Sequence, residues 1–339
     1  MQTTGHTAAL EEPHAAAQRV FNLIAPELSL VEEEFVRQAR SNVQVISYIS
    51  DYLRASGGKR VRPALTLLAT YAAGGDGSRA NVIRMATVME FLHTATLVHD
   101  DIIDNAETRR SRASINSRFG NQTAVLMGDW LYMTAFESSL SERSLPILDI
   151  LTGVTRKMTE GELIQLTLLG RFDVTEGQYF DILSRKTAFL FSACCEIGAI
   201  LGGGNGGAQS ALREYGLNLG IAFQLVDDLL DFTATEDTLG KAAGVDLLEG
   251  KVTLPLIYLL EKESTKRAAI QAVMREGSYQ DVARDDLIDA AQQSGALARA
   301  RARAHAFAQS AIDALNSLPA SAHTEALREI PTFILERDR

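Results

Sequence analysis

The sequence predicts an all-α fold of many helices in one domain. Apolar residues recur at helical spacing along most of the 339 residues, and only seven prolines interrupt them. Alternating strand-like runs and Asn-Gly hairpin turns are nearly absent. The clearest case is Val82, Met85, Ala86, Met89, Leu92 and His93. Their i, i+3, i+4 pattern continues without a breaker to about Ile103.

Taken in order, residues 1–15 lack the basic-then-apolar layout of a secretory signal and read as a loose tail, so the domain proper is expected over 16–339. Helical periodicity returns around 122–138, 147–168, 176–200, 208–232 and 251–262. Gly74-Gly75-Asp76-Gly77, Pro146 and the glycine run Gly202–Gly207 mark the breaks. That run lacks the Lys-Ser/Thr of a P-loop and follows no strand, so it reads as a helix-to-helix turn. Beyond residue 263, Ala, Arg and Asp at amphipathic spacing give solvated helix faces.

Composition narrows the function classes. Hydrophobic residues make up 46% and charged residues 22%, enough for a sizeable core. No apolar stretch approaches the roughly 20 residues that span a bilayer, so no stable membrane insertion is expected. The net charge of −10, with nothing basic pooled, argues against a nucleic-acid partner. Cys194 and Cys195 are adjacent, so they suit neither a disulfide framework nor a metal knuckle. They read as small core residues in a reducing cytoplasm.

Two acidic clusters carry the chemistry: Asp100-Asp101-x-x-Asp104 and Asp227-Asp228-x-x-Asp231. In each, the first and last carboxylates stand one helical turn apart on one face, with roughly 6 Å between side-chain roots. Such pairs suit Mg²⁺, a hard cation that shares its ligands with substrate phosphates. Both clusters are embedded among Leu, Val, Ile and Phe, and burying like charges together is costly unless cations offset them. Glu32-Glu33-Glu34 and Asp285-Asp286 lie among polar residues instead and read as solvated. Gln224, three residues before Asp227, faces the same way.

With these motifs stand Gly57-Gly58-Lys59-Arg60-Val61-Arg62-Pro63, Glu107-Thr108-Arg109-Arg110, Phe119-Gly120-Asn121, Gly128-Asp129, Gly161-Glu162-Leu163-Ile164-Gln165, Lys186-Thr187 and Gly240-Lys241 through Lys251-Val252-Thr253-Leu254-Pro255. In this order, from about residue 20 onward, the chain resembles the trans-type isoprenyl diphosphate synthases, in particular the long-chain polyprenyl diphosphate synthases. The resemblance implies a helical bundle around a central cavity, the isoprenoid synthase fold. It also implies a catalytic domain over 16–339, a homodimer and three Mg²⁺ ions. The implied reaction joins isopentenyl diphosphate to an allylic diphosphate, farnesyl or geranylgeranyl, in repeated head-to-tail steps.

By resemblance, Asp100, Asp104 and Asp227 are the leading metal ligands, with Asp101, Asp228 and Asp231 supporting and Gln165 and Gln224 assisting. Arg109, Lys186, Thr187, Lys241 and Lys251 match the groups that reach the allylic diphosphate. Lys59, Arg62, His93 and Arg110 match the metal-free isopentenyl diphosphate pocket. His93 lies two turns before Asp100 on nearly the same face. His99 has no such match and reads as structural.

In the family, residues one turn before the first motif face the tunnel that takes the growing chain. Here they are Ala95 and Thr96, both small, which implies a long product of octaprenyl length for a quinone side chain. Phe91, Leu92 and Leu151 are the candidates for a tunnel floor. A terpene cyclase is disfavoured by the intact second aspartate cluster and by Lys59, Arg62 and His93. A short-chain geranyl, farnesyl or geranylgeranyl synthase is disfavoured by Ala95 and Thr96. A non-catalytic subunit of a heteromeric synthase would be expected to have lost aspartates, and none is lost.

Overall fold

The computed structural model describes residues 16–55, 57–110, 112–234 and 243–336. The tail 1–15 and the Gly240-Lys241 pair, including the candidate Lys241, lie outside the described residues.

Almost everything described is helix, as the periodicity predicts. A short segment at 16–23 (α1) leads into α2 (Ala25–Gln38), α3 (Gln44–Ala55), α4 (Val61–Ala72) and α5 (Ala80–Ile103). A two-residue hairpin follows, β1 (Thr108–Arg109) paired antiparallel with β2 (Arg112–Ala113), then α6 (Ile115–Phe119). The chain continues through α7 (Asn121–Leu140), α8 (Leu145–Leu168) and α9 (Glu176–Leu183). A π-helical turn at Ser184–Ala188 precedes α10 (Phe189–Leu201) and α11 (Gly206–Thr233). The last elements are α12 (Val245–Leu248), α13 (Leu254–Lys262), α14 (Arg267–Glu276), α15 (Arg284–Gln293), α16 (Ala296–Ala314) and α17 (Ala322–Glu336).

Local chemistry sets several boundaries. Pro146 opens α8, where a missing N–H costs nothing. Thr175 and Gln178 form a reciprocal capping box that starts α9. Asn205 accepts from the Ala208 N–H to start α11, so the glycine run before it is a turn between helices.

One apolar core runs from Val20 to Ile334 and includes both cysteines. Its centre is α4, α5, α10 and α11, with α7 against α5 and α16 against α11. At Gly220 a Cβ would come within 2.6 Å of the Ala188 Cα. Only glycine allows α11 to approach the π turn this closely, and that approach brings Gln224 to Thr187.

Candidate active site

Both aspartate clusters sit in the last turns of long helices, α5 and α11. The negative end of each helix dipole points at its own carboxylates, an arrangement that disfavours them until a cation arrives. The two helix ends border one cavity of about 1440 Å³, whose wall includes Asp100, Asp104, Asp227 and Asp228.

The clusters are not used uniformly. Asp101 is 2% exposed and turns away from the cavity, accepting from Arg109 Nε at 2.6 Å. Asp231 is also buried, and it accepts the backbone N–H of Val245 at 3.4 Å and of Asp246 at 3.1 Å, capping α12. Neither residue is in the cavity wall. The sequence places both at the metal site; in this structure Asp101 holds Arg109 and Asp231 holds α12. Sequence reading missed Glu162 and Asp246, which do line the cavity. Glu162 lies inside the Gly161–Gln165 motif, which was its signal; Asp246 had none beyond falling between Gly240 and Lys251.

The electrostatics follow from burial and crowding. Burial, then Glu162 and Asp104, push the Asp100 carboxyl up to about 7, although Lys186 and Arg109 oppose the shift. Asp228 rises to about 6, chiefly through burial. Hydrogen bonds from Tyr179 and Gln224 pull it down, and Asp227 and Asp231 push it up. Asp246 rises well above the usual carboxylate range through burial and the charges of Asp228 and Asp231.

Four cavity-facing aspartates at two helix C-termini, two of them with raised pKa values, fit hard divalent cations. Among the described residues, no three carboxylate, imidazole or thiol groups converge tightly enough to hold an ion alone.

A chain of hydrogen bonds ties the acidic wall to the π turn. Thr187 Oγ1 donates to Gln224 Oε1 at 2.9 Å, and Gln224 Nε2 donates to Asp228 Oδ1 at 2.8 Å. The Tyr179 hydroxyl closes the chain on Asp228 Oδ2 at 2.6 Å. Beside it, Lys186 Nζ lies 3.0 Å from Gln165 Oε1 and 2.7 Å from Glu162 Oε1. Lys251 Nζ bridges Glu249 at 2.6 Å and Asp104 at 3.6 Å, linking α12 to the first cluster. Burial pulls its ammonium pKa down, but Glu249, Asp104 and Asp246 more than reverse that and raise it.

The same cavity is lined by Lys59, Arg62, His93 and Arg110, the four residues expected at the isopentenyl diphosphate pocket, and by Arg109. The Arg62 guanidinium lies 5.1 Å over the Phe191 ring, and its Nε is buried without an acceptor. Arg110 Nη1 donates to the Gly57 carbonyl, joining the β hairpin to the loop before α4. Burial and then the charges of Arg62 and Arg110 drive His93 well below the usual imidazole range, so it is neutral. His99, which the sequence reads as structural, lies 3.1 Å from the Val125 carbonyl and packs against Gly128, and it also lines the cavity.

Thr96 reaches the cavity wall, whereas Ala95, Phe91, Leu92 and Leu151 are fully buried and are not in it. Ala95 and Thr96 lie 100° apart around α5, so the two cannot share one direction. Tyr132 and Phe136 from α7 and Met158 from α8 supply bulky side chains elsewhere in the cavity wall.

The polyprenyl synthetase family model matches residues 43–291, a span that contains every residue lining the cavity. The chain belongs to the polyprenyl synthetase family. It is 38% identical to the octaprenyl diphosphate synthase of Haemophilus influenzae, over 93% of this chain and 95% of that protein. Its identity to the octaprenyl diphosphate synthase of Escherichia coli strain K12 is 36%, over 95% and 99%. A crystal structure of polyprenyl synthase from Caulobacter crescentus, complexed with calcium and isoprenyl diphosphate, superposes with a TM-score of 0.89. That match is 34% identical and covers 95% of this chain and 98% of the other. This polyprenyl synthetase thus shares the all-α fold of its relatives.

Proposed function

We propose that this polyprenyl synthetase condenses isopentenyl diphosphate with farnesyl or geranylgeranyl diphosphate, in repeated steps, to an all-trans product of octaprenyl length for a quinone side chain. One observation carries the reading: a single cavity of about 1440 Å³ is lined both by the carboxylates Asp100, Asp104, Asp227 and Asp228 and by Lys59, Arg62, Arg109 and Arg110.

The allylic diphosphate belongs at the carboxylate wall. Lys186, Thr187 and Lys251 orient it from one side and Arg109 from the other, guanidinium and ammonium groups suiting phosphate oxygens. Asp100, Asp104 and Asp227 would hold Mg²⁺, with Asp228 in support. Bound there, the metal supplies Lewis-acid neutralisation of the departing diphosphate. Lys59, Arg62, Arg110 and neutral His93 take the isopentenyl diphosphate without metal. The allylic carbon–oxygen bond breaks, the isopentenyl double bond attacks the resulting cation, and the released pyrophosphate accepts the proton lost from C2. Apolar walls keep water from the cation.

The reading treats residues from 16 onward as one catalytic domain that works as a cytoplasmic homodimer. Leu126, Met133 and Leu140 on α7 are exposed and give a second copy an apolar face. Among the described residues, no helix is long and apolar enough to cross a membrane.

The test uses the purified chain alone with farnesyl diphosphate, radiolabelled isopentenyl diphosphate and Mg²⁺. Products are dephosphorylated and run against prenyl alcohol standards. Octaprenol as the main product, abolished by EDTA, is expected; no elongation by the lone chain would sink the reading.

A further inference from the structure

Cations that converge on an anion site repel one another until the anion arrives. Here Lys59, Arg60, Arg62, Arg109 and Arg110 all reach the same end of the cavity. Something must hold them there in the free protein. Arg109 has Asp101. Arg60 has a side chain that belongs to neither aspartate cluster, Glu90 on α5, one turn before His93, and the same carboxylate acts on Arg62 and Arg110 through its charge.

Glu90 is 4% exposed, yet it is on the walls of both the main cavity and a small pocket behind it. Arg60 Nη1 donates to Glu90 Oε1 at 2.6 Å, while Glu32 on α2 takes the rest of that guanidinium. Arg60 sits in the left-handed region (φ 48°) immediately before α4, a conformation a side chain with Cβ adopts only when its surroundings hold it. It lies between Lys59 and Arg62, so its pairing with Glu90 fixes the loop that carries both. After burial, Glu90 is the largest influence on Arg62 and also on Arg110.

We propose that Glu90 is a positioning residue, a resident carboxylate that both shapes the isopentenyl diphosphate pocket through Arg60 and tempers its affinity for diphosphate. This rests on the reading of Lys59, Arg62, His93 and Arg110 as that pocket. The two effects separate by substitution. Glu90→Gln keeps an acceptor for Arg60 but removes one negative charge beside the pocket, so a trianionic headgroup binds more tightly. Glu90→Ala removes the acceptor as well, and the loop loses its anchor.

The expected signature is opposite movement of one constant. E90Q lowers the KM for isopentenyl diphosphate by about three- to tenfold, an effect that shrinks in high salt. E90A raises it, and neither moves the KM for the allylic substrate comparably. A purely structural Glu90 would shift both constants in the same direction in both variants. An unchanged or raised isopentenyl KM in E90Q overturns the proposal.

Arg110→Gln distinguishes the two levels of failure. If R110Q leaves the isopentenyl KM unchanged, the pocket reading fails and the proposal falls with it. If R110Q raises that KM and E90Q does not lower it, the proposal alone fails. A second measurement is free of turnover: melting each protein in EDTA with and without inorganic pyrophosphate. Pyrophosphate should raise the Tm of E90Q more than that of the wild type, since the anion replaces the missing carboxylate. An equal or smaller rise, or an E90Q that does not fold even with pyrophosphate present, also overturns the proposal.

Discussion

The Tyr179 hydroxyl donates to Asp228 Oδ2 at 2.6 Å, both groups being buried. With Gln224 on its other oxygen, Asp228 is held in one orientation while it borders the cavity. Tyr179→Phe removes one charge-assisted hydrogen bond and leaves the ring packing intact. We expect kcat/KM to fall about tenfold, and half-saturating Mg²⁺ to rise. Steady-state rates across a magnesium series check this; a change under about twofold would show that Asp228 does not depend on Tyr179 for its pose.

Within the first cluster, neighbouring aspartates should behave differently. Asp100 and Asp104 face the cavity, whereas Asp101 is occupied by Arg109. Asp100→Asn or Asp104→Asn is expected to cost at least about a hundredfold in kcat, the scale of losing an electrostatic contact to a developing charge. Asp101→Asn acts only through the freed Arg109 and should cost about tenfold. Equal losses from all three would mean that Asp101 turns into the cavity during turnover.

How far this site could be read from sequence depended on whether geometry was local. Carboxylates at i, i+4 inside apolar helices stand out, and the 100° step per residue separates Asp101 from Asp100 and Asp104. The same rule groups Asp227 with Asp231, yet the cavity takes Asp227 and Asp228. Asp231 is spent on the backbone of α12, fourteen residues away, which no helical wheel contains. Tyr179 and Glu90 escaped for the same reason: their partners Asp228 and Arg60 come from other parts of the chain, α11 and the loop before α4. The helices were legible from periodicity alone, but the π turn at Ser184–Ala188 was not, because it depends on how α11 packs against it.

Neutral His93 gives a pH prediction with a definite sign. Its folded pKa lies well below the unfolded value of about 6.5, because burial and the surrounding arginines disfavour the imidazolium. Above pH ~6.5 both states are neutral and His93 makes stability no steeper in pH. As pH falls below that value, the unfolded chain takes up a proton that the folded one refuses. Stability then drops by up to about 1.4 kcal/mol per pH unit until the folded pKa is reached. His93→Gln should remove about 1 kcal/mol of the wild-type stability change between pH 6.5 and 5.5. Urea melts at several pH values check it, and parallel slopes for the two proteins would show that His93 titrates normally when folded.

Product length should respond first to Thr96. Its side chain is in the cavity wall and its hydroxyl donates to the His93 carbonyl at 2.7 Å. A larger group at this position has the cavity in front of it, so bulk there shortens the space for the growing chain directly. Ala95 is fully buried among core side chains. A tyrosine at that position must first displace its neighbours, at about 1–3 kcal/mol of stability. Thr96→Phe is therefore expected to move the main product to shorter chains with little change in Tm, and Ala95→Tyr to lower the Tm by several degrees whatever it does to length. Chromatography of the prenyl alcohols beside a melting curve reads both. An unchanged product from T96F would mean that the chain grows along another wall, past Tyr132, Phe136 and Met158, which makes Phe136→Ala, with longer products, the deciding comparison.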